Sequence, residues 1–260
     1  PIQHNDALVI ATSGTTGAPK GVVHTHDSIR SLLAMSQSRL HTSSSTHWLL
    51  CLPVSHVAGF SIVARSIVLG NPTTVLSKFD EVEVKNAALA GATHVSLVPT
   101  TLQRIDPTMF NTILLGGAAA PQNLPNNVVT TYGMTETSGG CVYDGVPLDG
   151  VEVSLGERGL ITLTGPMVVG GSVTTNDLGE LDDDGRLSVL GRADRVINSG
   201  GIKLSLDLVE QWTRSQPGVR DAVSLPISNP QYGETFICWM VVFDPERHNL
   251  DAEKAVAELG

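Results

Sequence analysis

Short apolar runs alternate with helix-like stretches through the first half of the chain. The runs are "ALVIAT" (7–12), "HWLLCL" (47–52), "TTVL" (73–76), "HVSLV" (94–98), "TILLGG" (112–117) and "VVTTYG" (128–133). Residues 25–40, 56–69, 80–90 and 100–105 between them read as helices. Strands alternating with helices imply crossover units, and crossover units imply an α/β fold with a largely parallel sheet. All six runs are expected to be buried strands of that sheet. In such sheets ligands bind beyond the carboxyl ends of the strands. Three polar or glycine-rich segments fall at such ends: the loop at 13–21, "GGAAAP" (116–121) and "YGMTET" (132–137).

From about residue 145 the texture changes. "VEVSL", "GLITLTG", "GELDDDGRLSVLG" and "RVINSGG" are short strands with tight turns, which predicts a smaller β-rich region. The tail reads helix (206–215), strand (219–226), strand (234–243) and helix (251–259), a small α+β unit. There is no internal repeat.

The length of 260 residues suits one large domain plus a small one. Sixteen basic against 26 acidic residues give a net charge of −10, which opposes binding to a nucleic-acid backbone but not a small anion at a local basic site. Cys51, Cys141 and Cys238 are far apart and form no metal-binding pair. No apolar run reaches membrane-spanning length and no signal-peptide pattern opens the sequence, so a cytoplasmic protein is expected.

The segment "TSGTTGAPKG" (12–21) concentrates hydroxyls, glycines and one lysine. Glycine lets successive backbone N–H groups point into one concavity, and a lysine adds charge, so the segment suits phosphate. A mobile turn is the plainer reading. The nucleotide-kinase form GxxxxGK[ST] is absent, because Gly21 follows Lys20.

Residues 12–21 resemble the phosphate loop of the adenylate-forming superfamily, [ST]SG[ST]TGxPKG. "YGMTET" (132–137) resembles that family's YGxTE, and "TNDLGELDDDGRLSVLGRADRVINSGGIKLS" (175–205) resembles its TGDLGxxDxDGxLxxxGRxDxxIxxGGxxI. Three ordered motifs exclude chance. The resemblance implies a large N-terminal ATP- and acid-binding domain over 1–193, with its β-rich part at about 145–193. A small α+β C-terminal domain follows the hinge Asp194, over 194–260.

It also implies roles. Thr12, Ser13, Gly14, Thr15, Thr16, Gly17 and Lys20 would surround the ATP phosphates. Thr135 would donate to the α-phosphate, and Glu136 would hold Mg²⁺, although a surface carboxylate is the alternative. Gly117, Ala118, Tyr132 and Gly133 would line the adenine. Asp177 would take the ribose hydroxyls, with Arg192 beside it. Ser199, Gly200 and Gly201 would line the thioester-forming face, where plain turn residues are the alternative. The "DDDG" run (182–185) reads as a tight turn rather than a calcium loop.

The segment "LPVSHVAGFSIVARSIVLG" (52–70) resembles o-succinylbenzoate–CoA ligases of menaquinone synthesis, whose form PxxHxxG is followed by an arginine; His56, Gly59 and Arg65 match. The run at 131–153 is similar to actinobacterial members. The substrate is a dicarboxylate, and a buried spectator carboxylate needs a partner. Arg65 would supply it, His56 would contact substrate oxygens and act in catalysis, and Ser138, Gly139 and Gly140 would wall the aromatic ring. A core histidine and a helix-surface arginine are the alternatives for His56 and Arg65. His24 and His26 are expected to cap the following helix.

The resemblance thus implies an ATP- and Mg²⁺-dependent acid–thiol ligase with o-succinylbenzoate, ATP and coenzyme A as small-molecule partners; a homodimer stays open. Another aryl- or acyl-CoA synthetase is the second reading. A nucleotide-binding module without turnover is the third, because the family's C-terminal glycine–lysine motif is not found before residue 260 and Lys254 is no substitute. The small domain is therefore expected to be truncated, and the stretch 167–177 to be short.

Overall fold

The computed structural model of the chain describes residues 3–12, 20–121 and 123–242. The expectations for 13–19 and for a helix at 251–259 lie outside the described residues. The chain divides into two compact units: residues 1–155, 162–175 and 181–188 form one, and 156–161, 176–180 and 189–260 the other.

The first unit opens with strands β1 (Asp6–Thr12) and β2 (Lys20–Thr25), then helix α1 (His26–Leu40). There follow β3 (Trp48–Leu50), α2 (Val57–Leu69), β4 (Thr73–Val75), α3 (Glu81–Leu89), β5 (His94–Leu97), α4 (Pro99–Leu102), β6 (Thr112–Leu115), β7 (Val128–Met134), β8 (Gly139–Tyr143) and β9 (Val146–Pro147). Strands β3 to β9 form one seven-stranded sheet in the order β4-β3-β5-β6-β7-β8-β9. Its first five members run parallel, and β8 and β9 turn back antiparallel. Parallel strands buried on both faces read as continuous apolar runs. Accordingly Trp48, Leu49, Val95 and Ile113 have no exposed surface.

Local chemistry sets the helix starts. Thr25 caps α1 in a reciprocal box with Ser28, and Asp80 caps α3 by accepting from Val82 and Glu83 N–H. The inward face of α1 carries Ile29, Leu32, Leu33 and Ser36, at helical spacing.

Two expectations are corrected. The run 73–76 joins the parallel sheet but is not buried, because β4 is its edge strand and Val75 is 66% exposed. Residues 7–12 are not a buried strand of the parallel sheet. β1 pairs antiparallel with β2 as a separate two-stranded ribbon, with Val9 61% exposed and only Ile10 buried. A short apolar run does not say which partner it will find. Thr12 and Lys20 are thus paired with each other.

A four-stranded sheet follows, ordered β10 (Glu152–Leu155), β11 (Leu160–Thr164), β12 (Ser172–Leu181) and β13 (Leu187–Arg192). The "DDDG" run is a turn: Asp182 Oδ1 accepts from the N–H of Asp184 and Arg186.

The second unit holds β14 (Val196–Ser199), β15 (Ile202–Ser205), α5 (Leu206–Ser215), β16 (Val219–Asn229) and β17 (Gly233–Val242), with sheet order β15-β14-β17-β16. Gly200 and Gly201, at φ of 60° and 91°, form the two-residue turn between β14 and β15. Positive φ at both centres is what such a hairpin demands, so the turn alone accounts for both glycines. Arg195 binds Asp207 and Glu210, and Glu210 also accepts from Arg214 and from Ser224 N–H. No helix among the described residues is long and apolar enough to cross a membrane.

Candidate active site

The carboxyl ends of β3, β5, β6 and β7 open onto a cavity of about 160 Å³ in the first unit. Ser96, Val98, Gly116, Gly117 and Thr131 form its sheet side, α2 contributes Val57, Ala58, Ser61 and Arg65, and Gly139, Gly140 and Tyr143 come from β8. An apolar pocket with a few polar groups at the strand ends is the usual ligand site of such sheets.

Backbone crowding explains the glycines around it. A Cβ on Gly133 would lie 2.1 Å from the carbonyl of Gly139, and one on Gly59 2.3 Å from that of Pro53. Gly59 thus holds α2 against the preceding turn. Gly117, at φ +82°, is exposed beside Ala118.

Arg65 is the unusual member. It sits near the end of α2, 1% exposed. Its Nη2 donates to Ser36 Oγ at 2.6 Å, Tyr143 Oη donates to the same oxygen at 3.1 Å, and its Cζ stands 4.6 Å over the Trp48 ring. Nε and Nη1 have no partner among the described residues, and no carboxylate among them pairs with it. Burial pushes the guanidinium below its ordinary pKa, and Tyr143 acts in the opposite direction. Arginine nevertheless stays charged in proteins. The same charge, together with burial as the larger cause, lowers His94 to about 4. His94 is therefore neutral beside Trp48, ring centroids 5.1 Å apart.

His56 does not take the core form that was its alternative. It is exposed at the start of α2, makes no capping bond, and directly precedes cavity-lining Val57. It is no core histidine. The helix-surface alternative for Arg65 is likewise excluded. Gly139 and Gly140 line the cavity, whereas Ser138 does not. Ser138 Oγ donates to the carbonyl of Met167 at 3.0 Å and lies 3.1 Å from His24 Nδ1. With that hydroxyl proton committed, His24 donates through Nδ1. Burial lowers the His24 pKa, opposed by Glu136. The capping expectation for His24 is thus corrected: Thr25 is the cap, and His24 is 1% exposed inside.

The residues expected at the phosphates fall on two segments of this unit. Thr12 and Lys20 are backbone-paired, and Thr12 Oγ1 donates to the carbonyl of Lys20 at 3.4 Å. Ser13, Gly14, Thr15, Thr16 and Gly17 lie outside the described residues. Tyr132 and Gly133 end β7, and Thr135 and Glu136 begin the single 3₁₀ turn after it. The Glu136 carbonyl accepts from Val169 N–H at 2.8 Å, which fixes the turn, while its carboxylate has no hydrogen bond or ion pair among the described residues. One free carboxylate is what Mg²⁺ needs when phosphates and water supply its other ligands. The donor set fits the metal.

In the second unit Asp177 lies 3.8 Å from Arg192, which forks onto Asp194 at 2.8 and 2.7 Å. Arg192 holds Asp194 below the usual carboxylate range. Ser199 pairs with Gly233 across β14 and β17, and Gly200 N–H donates to the carbonyl of Tyr232 at 2.9 Å.

Ser36, Trp48 and Tyr143 escaped the sequence reading. A serine in the apolar stripe of α1 was the available signal for the first. Trp48 was hidden in a run that read as an ordinary core strand, and the strand that carries Tyr143 was not read as one. Cys51 and Cys141 are buried thiols raised to about 11, unsuited to nucleophilic work.

A profile of the AMP-binding enzyme family matches residues 1–181. A probable 2-succinylbenzoate–CoA ligase of Mycobacterium tuberculosis is 35% identical over 280 residues, covering 94% of this chain and 73% of that protein. The o-succinylbenzoate CoA synthetase (MenE) of Bacillus subtilis, in complex with the acyl-adenylate intermediate OSB-AMP, superposes with TM-score 0.84 at 26% identity, across 96% of this chain and 62% of that one. The same enzyme in complex with ATP and magnesium ion gives TM-score 0.82 at 28% identity, across 91% and 60%. The chain spans less than two thirds of the length of these solved relatives. By the matched profile and by these relatives, the chain belongs to the AMP-binding enzyme family.

Proposed function

We propose that the protein is an ATP- and Mg²⁺-dependent ligase that converts o-succinylbenzoate and coenzyme A into o-succinylbenzoyl-CoA, a step of menaquinone synthesis, working in the cytoplasm alone or as a homodimer. The observation that carries the substrate is Arg65, a buried guanidinium in the cavity wall with two nitrogens unpartnered and no carboxylate paired with it among the described residues. A buried charge of this kind is costly until an anion reaches it. The aromatic carboxylate of o-succinylbenzoate supplies that anion and stays ionised while the succinyl carboxylate reacts.

The succinyl carboxylate oxygen attacks the α-phosphorus of ATP, the bond to the β-phosphate oxygen breaks, and pyrophosphate leaves. The coenzyme A thiolate then attacks the acyl carbon and AMP departs. Lys20, Thr12 and the segment 13–17 are assigned to the phosphates, and Thr135 to the α-phosphate. These donors offset the repulsion between two anions, which is the main electrostatic task of this chemistry. Glu136 holds the Mg²⁺, which adds Lewis-acid neutralisation of phosphate charge. Tyr132, Gly133, Gly117 and Ala118 are assigned to the adenine, Asp177 with Arg192 to the ribose, and Asp194 to the hinge between the two half-reactions. Gly139 and Gly140 wall the substrate ring, and His56 reaches the substrate's oxygens from the start of α2. Ser199, Gly200 and Gly201 are assigned to the thioester-forming face.

The test is pyrophosphate release from ATP and Mg²⁺ with o-succinylbenzoate, benzoate, a fatty acid and an amino acid in parallel. Release confined to o-succinylbenzoate is expected. Equal release with benzoate, which lacks the second carboxylate, would remove Arg65 from substrate selection.

A further inference from the structure

We infer that Trp48 is a positioning residue for acid selection: its indole face, with the Ser36 and Tyr143 hydroxyls, forms a charge-neutral cage that holds Arg65 ionised and unneutralised at the cavity wall. This rests on the reading of the cavity as the acid pocket. Among the described residues the partners cited for the guanidinium are uncharged: Ser36 Oγ at 2.6 Å and the Trp48 ring at 4.6 Å, with Tyr143 donating to the same Ser36 oxygen. All four residues are buried, with Trp48 wholly inaccessible.

The choice of an aromatic ring has a physical consequence. A carboxylate in the place of Trp48 would neutralise Arg65 and leave the incoming acid nothing to pair with. A plain aliphatic wall would give the cation no attraction, and the side chain would leave for solvent. A π face attracts the cation through its quadrupole while carrying no net charge. The guanidinium is thereby kept in place with Nε and Nη1 unpartnered among the described residues. His94, whose ring lies 5.1 Å from the indole, is neutral and adds no repulsion. Arg65 selects the anion, and Trp48 keeps Arg65 where it can do so.

The experiment replaces Trp48 alone, by encoded incorporation into the full-length protein, with 5-fluoro-, 5,7-difluoro- and 4,5,6,7-tetrafluorotryptophan. These keep the shape of the ring and progressively drain its π face. Calorimetry then gives Kd for o-succinylbenzoate and, separately, for ATP, and Arg65→Met is measured alongside. The cage predicts that the o-succinylbenzoate Kd climbs stepwise with fluorination, by about tenfold for the tetrafluoro ring, with ATP affinity unchanged. Trp48→Phe, which retains a weaker face, should fall within the series. A flat series with a marked loss in Arg65→Met would overturn the cage and leave the pocket assignment standing. Undiminished o-succinylbenzoate binding in Arg65→Met would overturn both.

Discussion

Two arginines in this molecule face the same cost and meet it in opposite ways. Arg195, in the second unit, is saturated: Asp207 and Glu210 both accept from it, and Glu210 is itself shared with Arg214 and Ser224 N–H. Arg65, in the first unit, is far more deeply buried and has only hydroxyls and an indole face. A closed ion-pair network leaves nothing for a ligand and serves the fold. An open one is an energetic debt of the empty protein that an anion can clear. Degree of neutralisation, more than residue type or burial, separates the structural arginine from the one proposed to receive an anion.

The largest expected effect breaks the open case. Arg65→Met should lower kcat/KM for o-succinylbenzoate by about 100- to 1000-fold, in line with the about 3–4 kcal/mol lost when one partner of a buried ion pair is removed. The KM for ATP should hold, and the thermal midpoint of the unliganded protein should rise, because an uncompensated buried charge has gone. Steady-state kinetics and a melting curve check both; a falling midpoint would mean that Arg65 stabilises the empty fold as Arg195 does.

Next comes the closed case. Glu210→Gln removes one countercharge of Arg195 and of Arg214 and weakens the acceptor of Ser224 N–H. The expected loss is about 2–3 kcal/mol by denaturant titration, since the carboxylate is largely buried. If stability were unchanged, the network would be ornamental and the contrast with Arg65 would fail.

A smaller effect is read through pH. Folding lowers His94 from 6.5 to about 4, so between those values the unfolded chain binds a proton that the folded one refuses. Stability is therefore full above about pH 6.5 and declines as pH falls towards 4, at a limiting slope of about 1.4 kcal/mol per pH unit for one such group. His94→Asn should flatten that part of the stability profile. An unaltered slope would show that Arg65 and burial do not keep His94 neutral.

The smallest effect concerns a residue that the turn alone explains. Gly201→Ala, at φ +91°, should cost about 1 kcal/mol in the β14–β15 hairpin. A much larger loss of thioester formation than of pyrophosphate release would give Gly201 a role beyond the turn.

Most of the element order was legible in the residues. The runs at 47–52, 94–98, 112–117 and 128–133 are consecutive members of one sheet, and helices expected at 25–40, 56–69 and 80–90 begin and end within two residues of their places. Hydrophobic period and capping residues are local properties, and locality suffices for them. The run at 7–12 failed for the complementary reason, since its pairing with residues 20–25 is a tertiary choice. Ser138 failed similarly: its place beside two glycines suggested a wall, whereas its hydroxyl answers to His24 and Met167, distant in sequence.

The sequence by itself determined the alternation of strands and helices, the glycines that crowded backbones require, and the ordered motifs that pointed to an adenylate-forming enzyme. The tertiary structure alone decided that Arg65 is buried, that no described carboxylate meets it, and that Ser36, Trp48 and Tyr143 surround it. Those four residues come from two helices and two strands spread over more than a hundred positions. Whether a charge is paired depends on every group that folding brings within a few ångströms, and that is set by packing, which no local pattern records.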